Sequence, residues 1–208
     1  ISKGLVGSEM CIRDRIMSVL YSQDRSTIFT TYTGYDPDPS LGGYSIKHTE
    51  NEIVYGAGNR FYVSDEYALE RAYVYLSYEY EDAFELQQVE IKICHDDNGF
   101  VGECFTSNLV TLSPSNSEGN WYATSLLETC AKVDASSYYW FVVLPTEGTN
   151  AKWIYSTEPS FEFSTTNDGG ISWEDTSTGF AGTSYLTAEQ IYIPCLLYTS
   201  DAADESRG

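Results

Sequence analysis

Trp153 and Tyr155 stand two residues apart in the segment AKWIYS. Side chains at i and i+2 of a strand share one face, so this pair would present an indole and a phenol together. A flat aromatic surface of that kind stacks on the C–H face of a sugar ring. Core packing and cross-strand aromatic pairing use the same residues. Trp121, Trp140 and Trp173 also fall on expected strands, and core packing is the favoured reading for all four tryptophans. Trp153 with Tyr155 is the candidate ligand-binding pair.

Cys94 and Cys104 bracket CHDDNGFVGEC, with Asn98-Gly99 near its middle. Asn-Gly is a strong two-residue hairpin signal. A tight turn there brings the cysteines opposite one another on neighbouring strands, and a structural disulfide is expected. That pairing implies an oxidising compartment. Cys130 is then left as a small buried hydrophobe. No C-x-x-C accompanies them, so a conventional metal set is missing and no metal is expected.

The carboxylates suggest less. Asp36 and Asp38 in GYDPDPSLGG, and Asp96, Asp97 and Asn98 in the hairpin, could supply oxygens to calcium, but DPDPSLGG lacks glycine at the sixth loop position and a distal glutamate in register. Such short Asp/Asn runs form turns. Glu79, Glu81 and Asp82 read as a solvated strand end rather than an acid/base pair. The two histidines, His48 and His95, sit in no nucleophile motif, and neither G-x-S-x-G nor a glycine-rich phosphate loop occurs. No catalytic residues and no cofactor are expected.

The elements that must carry these groups are strands. Val89, Ile91 and Ile93 alternate with Gln88, Glu90 and Lys92, the pattern of a half-buried strand. Ala72, Val74, Leu76 and Tyr78 form one face of another, with Arg71, Tyr73, Tyr75 and Ser77 on its reverse. Thr27–Thr33, Arg60–Ser64, Trp121–Thr129, Lys152–Tyr155 and Gln190–Ile193 are further expected strands. Tyr138–Leu144, YYWFVVL, is apolar on both faces and predicts a central strand covered on two sides. Phe161–Ser164 and Ile171–Trp173 flank NDGG as an expected hairpin. Gly34–Gly43, Ser113–Asn120 and Asp175–Thr183 read as loops inside one domain. No helical period stands out. The fold class is all-β, an antiparallel β-sandwich or jelly roll of about nine to eleven short strands.

Charge narrows the partners. The 208 residues carry 31 acids against 11 bases, a net charge of −20. That balance repels phosphate backbones and anionic lipid, so nucleic acid and direct membrane insertion are poor fits. No apolar run is long enough to span a bilayer.

The order FYVSDEYALERAYVYLSY, VEIKIC, YYWFVVLP, AKWIYS and DGGISWED resembles the bacterial choice-of-anchor domains of exported and surface proteins. The resemblance runs over Ser26–Ile193. It rests on Tyr139–Leu144, Trp153–Tyr155 and Gly170–Trp173. It implies an exported β-sandwich held to the envelope by a separate C-terminal anchor, with surface glycans or envelope components as partners, and it carries no catalytic residues. The ends resemble something else. Leu5–Arg15 (LVGSEMCIRDR) and Cys195–Glu205 (CLLYTSDAADE) are similar to translated sequencing-library adapters. Residues 1–15 and 195–208 are therefore expected to be non-native, and 16–194 to be a single domain cut from a longer gene.

The expectation is a non-enzymatic exported or cell-surface module with a structural or adhesion role. A carbohydrate-binding module is the first alternative and a secreted hydrolase fragment the second. The direction in which the tryptophans and acids point separates the three.

Overall fold

A computed structural model describes residues 25–32, 34, 37–49, 52–78, 87–113, 118–127, 131–157 and 160–190. Its strands are β1 (Arg25–Thr30), β2 (Gly43–His48), β3 (Val54–Val63), β4 (Tyr67–Tyr78), β5 (Gln88–Asp97), β6 (Phe100–Thr111), β7 (Asn120–Ser125), β8 (Lys132–Val133), β9 (Ser137–Pro145), β10 (Asn150–Ile154), β11 (Phe161–Thr166), β12 (Ser177–Gly179) and β13 (Ser184–Gln190). One 3-10 turn, Pro39–Leu41, is capped by the Asp38 side chain, which accepts from the Ser40 amide at 2.8 Å. All ladders between named strands are antiparallel.

The strands form two faces of one sandwich. In the first sheet β4 is central, with β13 and β10 on one edge and β7 and β8 on the other. Outside these lie β1 on β13 and β2 on β10. The second sheet runs β12, β11, β3, β9, β5, β6. The β2–β3 pairing at Lys47–Tyr55 and His48–Val54 joins them.

Alternation decides what lies between the sheets. Ala72, Val74, Leu76 and Leu186 face inward from the first sheet, and Phe61, Val89, Ile91, Ile93, Phe141 and Val143 from the second. Phe29 stacks on Phe61 at 4.7 Å, and Phe141 meets Trp153 at 5.7 Å across the gap. Burial of this apolar surface is the main drive for folding. A buried polar link crosses the same core. Asn59 of β3, fully buried, donates to the Gly182 carbonyl at 2.8 Å and accepts the Gly182 amide at 3.2 Å.

As expected from YYWFVVL, β9 is covered on both faces from Tyr139 to Leu144, while Tyr138 at its start is exposed. Its outward residues Trp140, Val142 and Leu144 form a second cluster with Cys94, roofed by Val101 and Trp173. Trp173 belongs to a loop, not to the hairpin strand expected at Ile171–Trp173. The Asp168 carboxylate accepts from the Ser172 amide at 2.9 Å and from the Thr166 hydroxyl at 2.7 Å. Those bonds curl NDGG back on itself, and β11 pairs instead with β12.

Other boundaries move for similar reasons. The 13 strands among the described residues exceed the expected number. Gly43–His48, Ser177–Gly179 and Ser184–Gln190 each gain strand geometry from partners distant in sequence. The strand at Arg60 begins earlier, at Val54, because the glycines of VYGAGN pair with β9 and β11. β10 ends at Ile154, and Tyr155 beyond it forms an isolated bridge to Gly182 and donates its amide to the Gly42 carbonyl at 3.1 Å. β1 ends at Thr30 and β7 at Ser125. Asp36, Glu79, Glu81, Asp82, Cys130, Ile191–Ile193 and both adapter-like ends lie outside the described residues.

The Asn98-Gly99 turn forms with both residues at positive φ, 55° and 93°, the demand of a two-residue hairpin with strand-matched twist. Cys94 and Cys104 are register partners across it and are joined by a disulfide, with Cys94 fully buried. Cross-linking across a sequence separation of 10 restricts the unfolded chain. Reducing it, or replacing both cysteines with serine, should lower stability by about 2–3 kcal/mol in urea melts. Unchanged melts would assign the bridge no stabilising role.

Candidate aromatic binding face

Trp153 does not form a platform. Its side chain is fully buried, its Nε1 donates to the Thr183 carbonyl at 2.9 Å, and its ring packs on Tyr44 and Phe141. The expectation that Trp153 and Tyr155 share an exposed surface is therefore corrected. Trp153 points inward on β10, as alternation with outward Lys152 requires. Tyr155, beyond the strand end, packs its ring on Tyr44 at 4.9 Å and Phe180 at 5.9 Å. It stays partly exposed but has no flat partner in Trp153. Trp140 is likewise core, and Trp173 roofs the second cluster.

Trp121 is different. It lies on the outer face of the first sheet, opposite Tyr75 of β4. Tyr73, two residues on, pairs with Tyr185 of β13, and Tyr185 pairs with Thr30 of β1. These side chains form one connected cluster. Tyr73 and Tyr185 stack at 4.1 Å with an interplanar angle of 11°. Trp121 makes edge contacts with Tyr185 at 5.2 Å, Tyr75 at 5.4 Å and Tyr32 at 5.4 Å. All five are partly exposed. The Tyr185 phenol is raised above its ordinary pKa, first by burial and then by the phenols of Tyr73 and Tyr32. The Tyr185 hydroxyl therefore keeps its proton at neutral pH and remains a hydrogen-bond donor.

The strand pattern had already put Tyr73 and Tyr75 on the reverse of Val74 and Leu76. What it lacked was the strand carrying Tyr185, read as lying after a loop, and the register that sets Trp121 beside Tyr75. The outward aromatic alternation in ERAYVYLSY was the available signal.

A second exposed aromatic pair, Tyr62 and Tyr138, lies on the outer face of the other sheet, ring centroids 5.1 Å apart. Arg60 sits 4.1 Å over the Tyr138 ring, but its guanidinium is taken up by Asp96 (2.7 and 2.9 Å) and Glu162 (2.7 Å). Asp96 also accepts from Trp140 Nε1 at 2.9 Å and the Gly99 amide at 3.1 Å. This is a bracing network, closed on itself. Asp97 ends β5, Asn98 lies in the turn after it and Asp38 caps the 3-10 turn, and among the described residues no group of three or more His, Cys, Asp or Glu could hold a metal ion. His95 rests against Phe105 and Tyr139. Among the described residues no helix is long and apolar enough to cross a membrane.

Comparison with known proteins adds little. No family model matches the chain, and no curated protein matches it. Among solved structures, the subviral particle of infectious bursal disease virus VP2 aligns at 12% identity and a TM-score of 0.26 over 82% of this chain. The chain spans 42% of that protein's length. What the geometry defines is the class: an all-β antiparallel sandwich with a clustered aromatic outer face.

Proposed function

We propose that this domain is a non-enzymatic, exported or cell-surface adhesion module that binds carbohydrate on the outer face of its first sheet. The observation that carries the reading is the cluster of Tyr32, Tyr73, Tyr75, Trp121 and Tyr185, partly exposed on a rigid sheet rather than on loops. Contiguous exposed aromatic surface marks interaction sites. Rings fixed by cross-strand neighbours lose little entropy when a sugar stacks on them, and the phenol hydroxyls reach the sugar's own hydroxyls. The Cys94–Cys104 bridge favours an oxidising compartment. The choice-of-anchor resemblance points the same way.

The test is a glycan-array screen of the intact chain, kept oxidised, followed by titration of the best ligand. Trp121→Ala should weaken binding about tenfold, equivalent to ~1.4 kcal/mol, with the circular dichroism spectrum unchanged. Trp121 is the right residue to remove because three rings of the cluster lean on it. A folded chain that binds no glycan, or a Trp121→Ala variant that binds as tightly as the parent, would overturn the proposal.

A further inference from the structure

We propose that the glycan held on this face is acidic, a chain bearing uronic-acid carboxylates; the inference rests on the carbohydrate-binding reading above. It comes from where the few cations of this chain lie. With 31 acids against 11 bases, an arbitrary patch of surface should be acidic. The outward row of β4 instead runs Ala68, Arg71, Tyr73, Tyr75, Ser77, with a bulge between Leu69 and Arg71. Ala68 pairs with Lys132 on one side and Glu189 on the other. Ser77 pairs with Lys152, which pairs in turn with Ser45, and Lys47 follows on the same face of β2. Among the described residues, outward strand positions of this sheet thus present Lys47, Arg71, Lys132 and Lys152 against the carboxylate Glu189, while Glu70 in the bulge is buried.

Among the described strand positions the sign of charge is therefore opposite to that of the whole chain. Salt screens charges beyond about 8 Å at physiological ionic strength, so a ligand lying on the rings responds to these cations more than to the net charge. The geometry suits a polymer. Arg71 precedes the Tyr73–Tyr75 pair on the outward row of β4, and Lys132 flanks that row beside Ala68. At about 3.3 Å per residue Arg71 stands ~7 Å along the strand from Tyr73. A sugar chain along β4 would stack on the rings and meet the exposed Arg71 at one end. Arg71, being exposed, can offer a bidentate fork to a carboxylate.

The experiment is calorimetric titration of the intact oxidised chain with an oligogalacturonate, its methyl ester, a neutral cello-oligosaccharide and an oligo-dT strand. The expected result is tightest binding to the free acid, weakened by added salt. Arg71→Gln should lower affinity for the acid about tenfold and leave the neutral sugar unchanged. Equal binding of acid and ester would overturn the acidic-ligand inference while leaving the aromatic face as a glycan site. Oligo-dT bound as tightly as the uronate would also overturn it, in favour of a general polyanion surface. No binding to any of the sugars, by a chain whose spectrum shows it folded, would remove both this inference and the reading beneath it.

Discussion

Trp153→Ala should destabilise the sandwich by about 4 kcal/mol, the usual range for deleting a large buried aromatic. The indole is fully buried between the sheets, against Tyr44 and Phe141. It also lies on Gly182, where a Cβ would stand 2.1 Å from the ring, so only glycine lets the backbone pass there. The cavity left by alanine cannot collapse easily, because Asn59 and the bridge to Tyr155 pin Gly182 in place. Trp153→Phe should cost less. It keeps most of the packing, and the Thr183 carbonyl that loses the indole N–H still accepts from the Tyr75 amide at 2.9 Å. Urea unfolding followed by fluorescence measures both changes. Glycan binding by Trp153→Phe should match the parent, since the binding face lies on the other side of the sheet. An alanine variant as stable as the parent would show that Trp153 is not a core residue.

Asp96→Ala should cost on the order of 3 kcal/mol near neutral pH. Asp96 serves Arg60, Trp140 and the Gly99 amide at once. Its loss leaves the fully buried Trp140 indole N–H without that acceptor and Arg60 with Glu162 alone. The pH dependence follows from the carboxyl itself. Burial pushes its pKa up, but the Arg60, Gly99 and Trp140 hydrogen bonds outweigh burial and hold it below the ordinary 3.8. A depressed folded pKa means stability that is fully present above 3.8 and lost as pH falls through the folded value. Asp168 adds to the same trend, lowered to about 2 chiefly by its hydrogen bonds from Ser172. The gap between parent and Asp96→Ala should therefore narrow in urea melts taken at successively lower pH. A gap that stays constant below 3.8 would show that the Asp96 charge does not hold this network together.

Legibility tracked locality. The Cys94–Cys104 hairpin was readable because Asn-Gly dictates a turn within its own few residues, and a turn fixes the register of the strands it joins. The double burial expected for Tyr138–Leu144 was readable, all but Tyr138, because apolar side chains on both faces of a strand require two covers. The NDGG hairpin was misread because Asp168 satisfies nearby amides and hydroxyls with its side chain, an alternative to a ladder. The strand at Ser184–Gln190 was missed because its partners, β1 and β4, lie far away in sequence.

The amino-acid sequence by itself determined the all-β class, the inward and outward sets along β4 and β5, and the hairpin that places the disulfide. These follow from side-chain period and turn chemistry, both local. It singled out Trp153 with Tyr155, not Trp121, as the candidate surface pair, since alternation says which residues share a face but not which face meets the other sheet. Only tertiary packing decided that Trp153 lies in the core and that Trp121 lies outside beside Tyr73, Tyr75 and Tyr185. That cluster exists through the register of β4 with β7 and β13, and long-range register is set by the burial of the whole core rather than by any one strand.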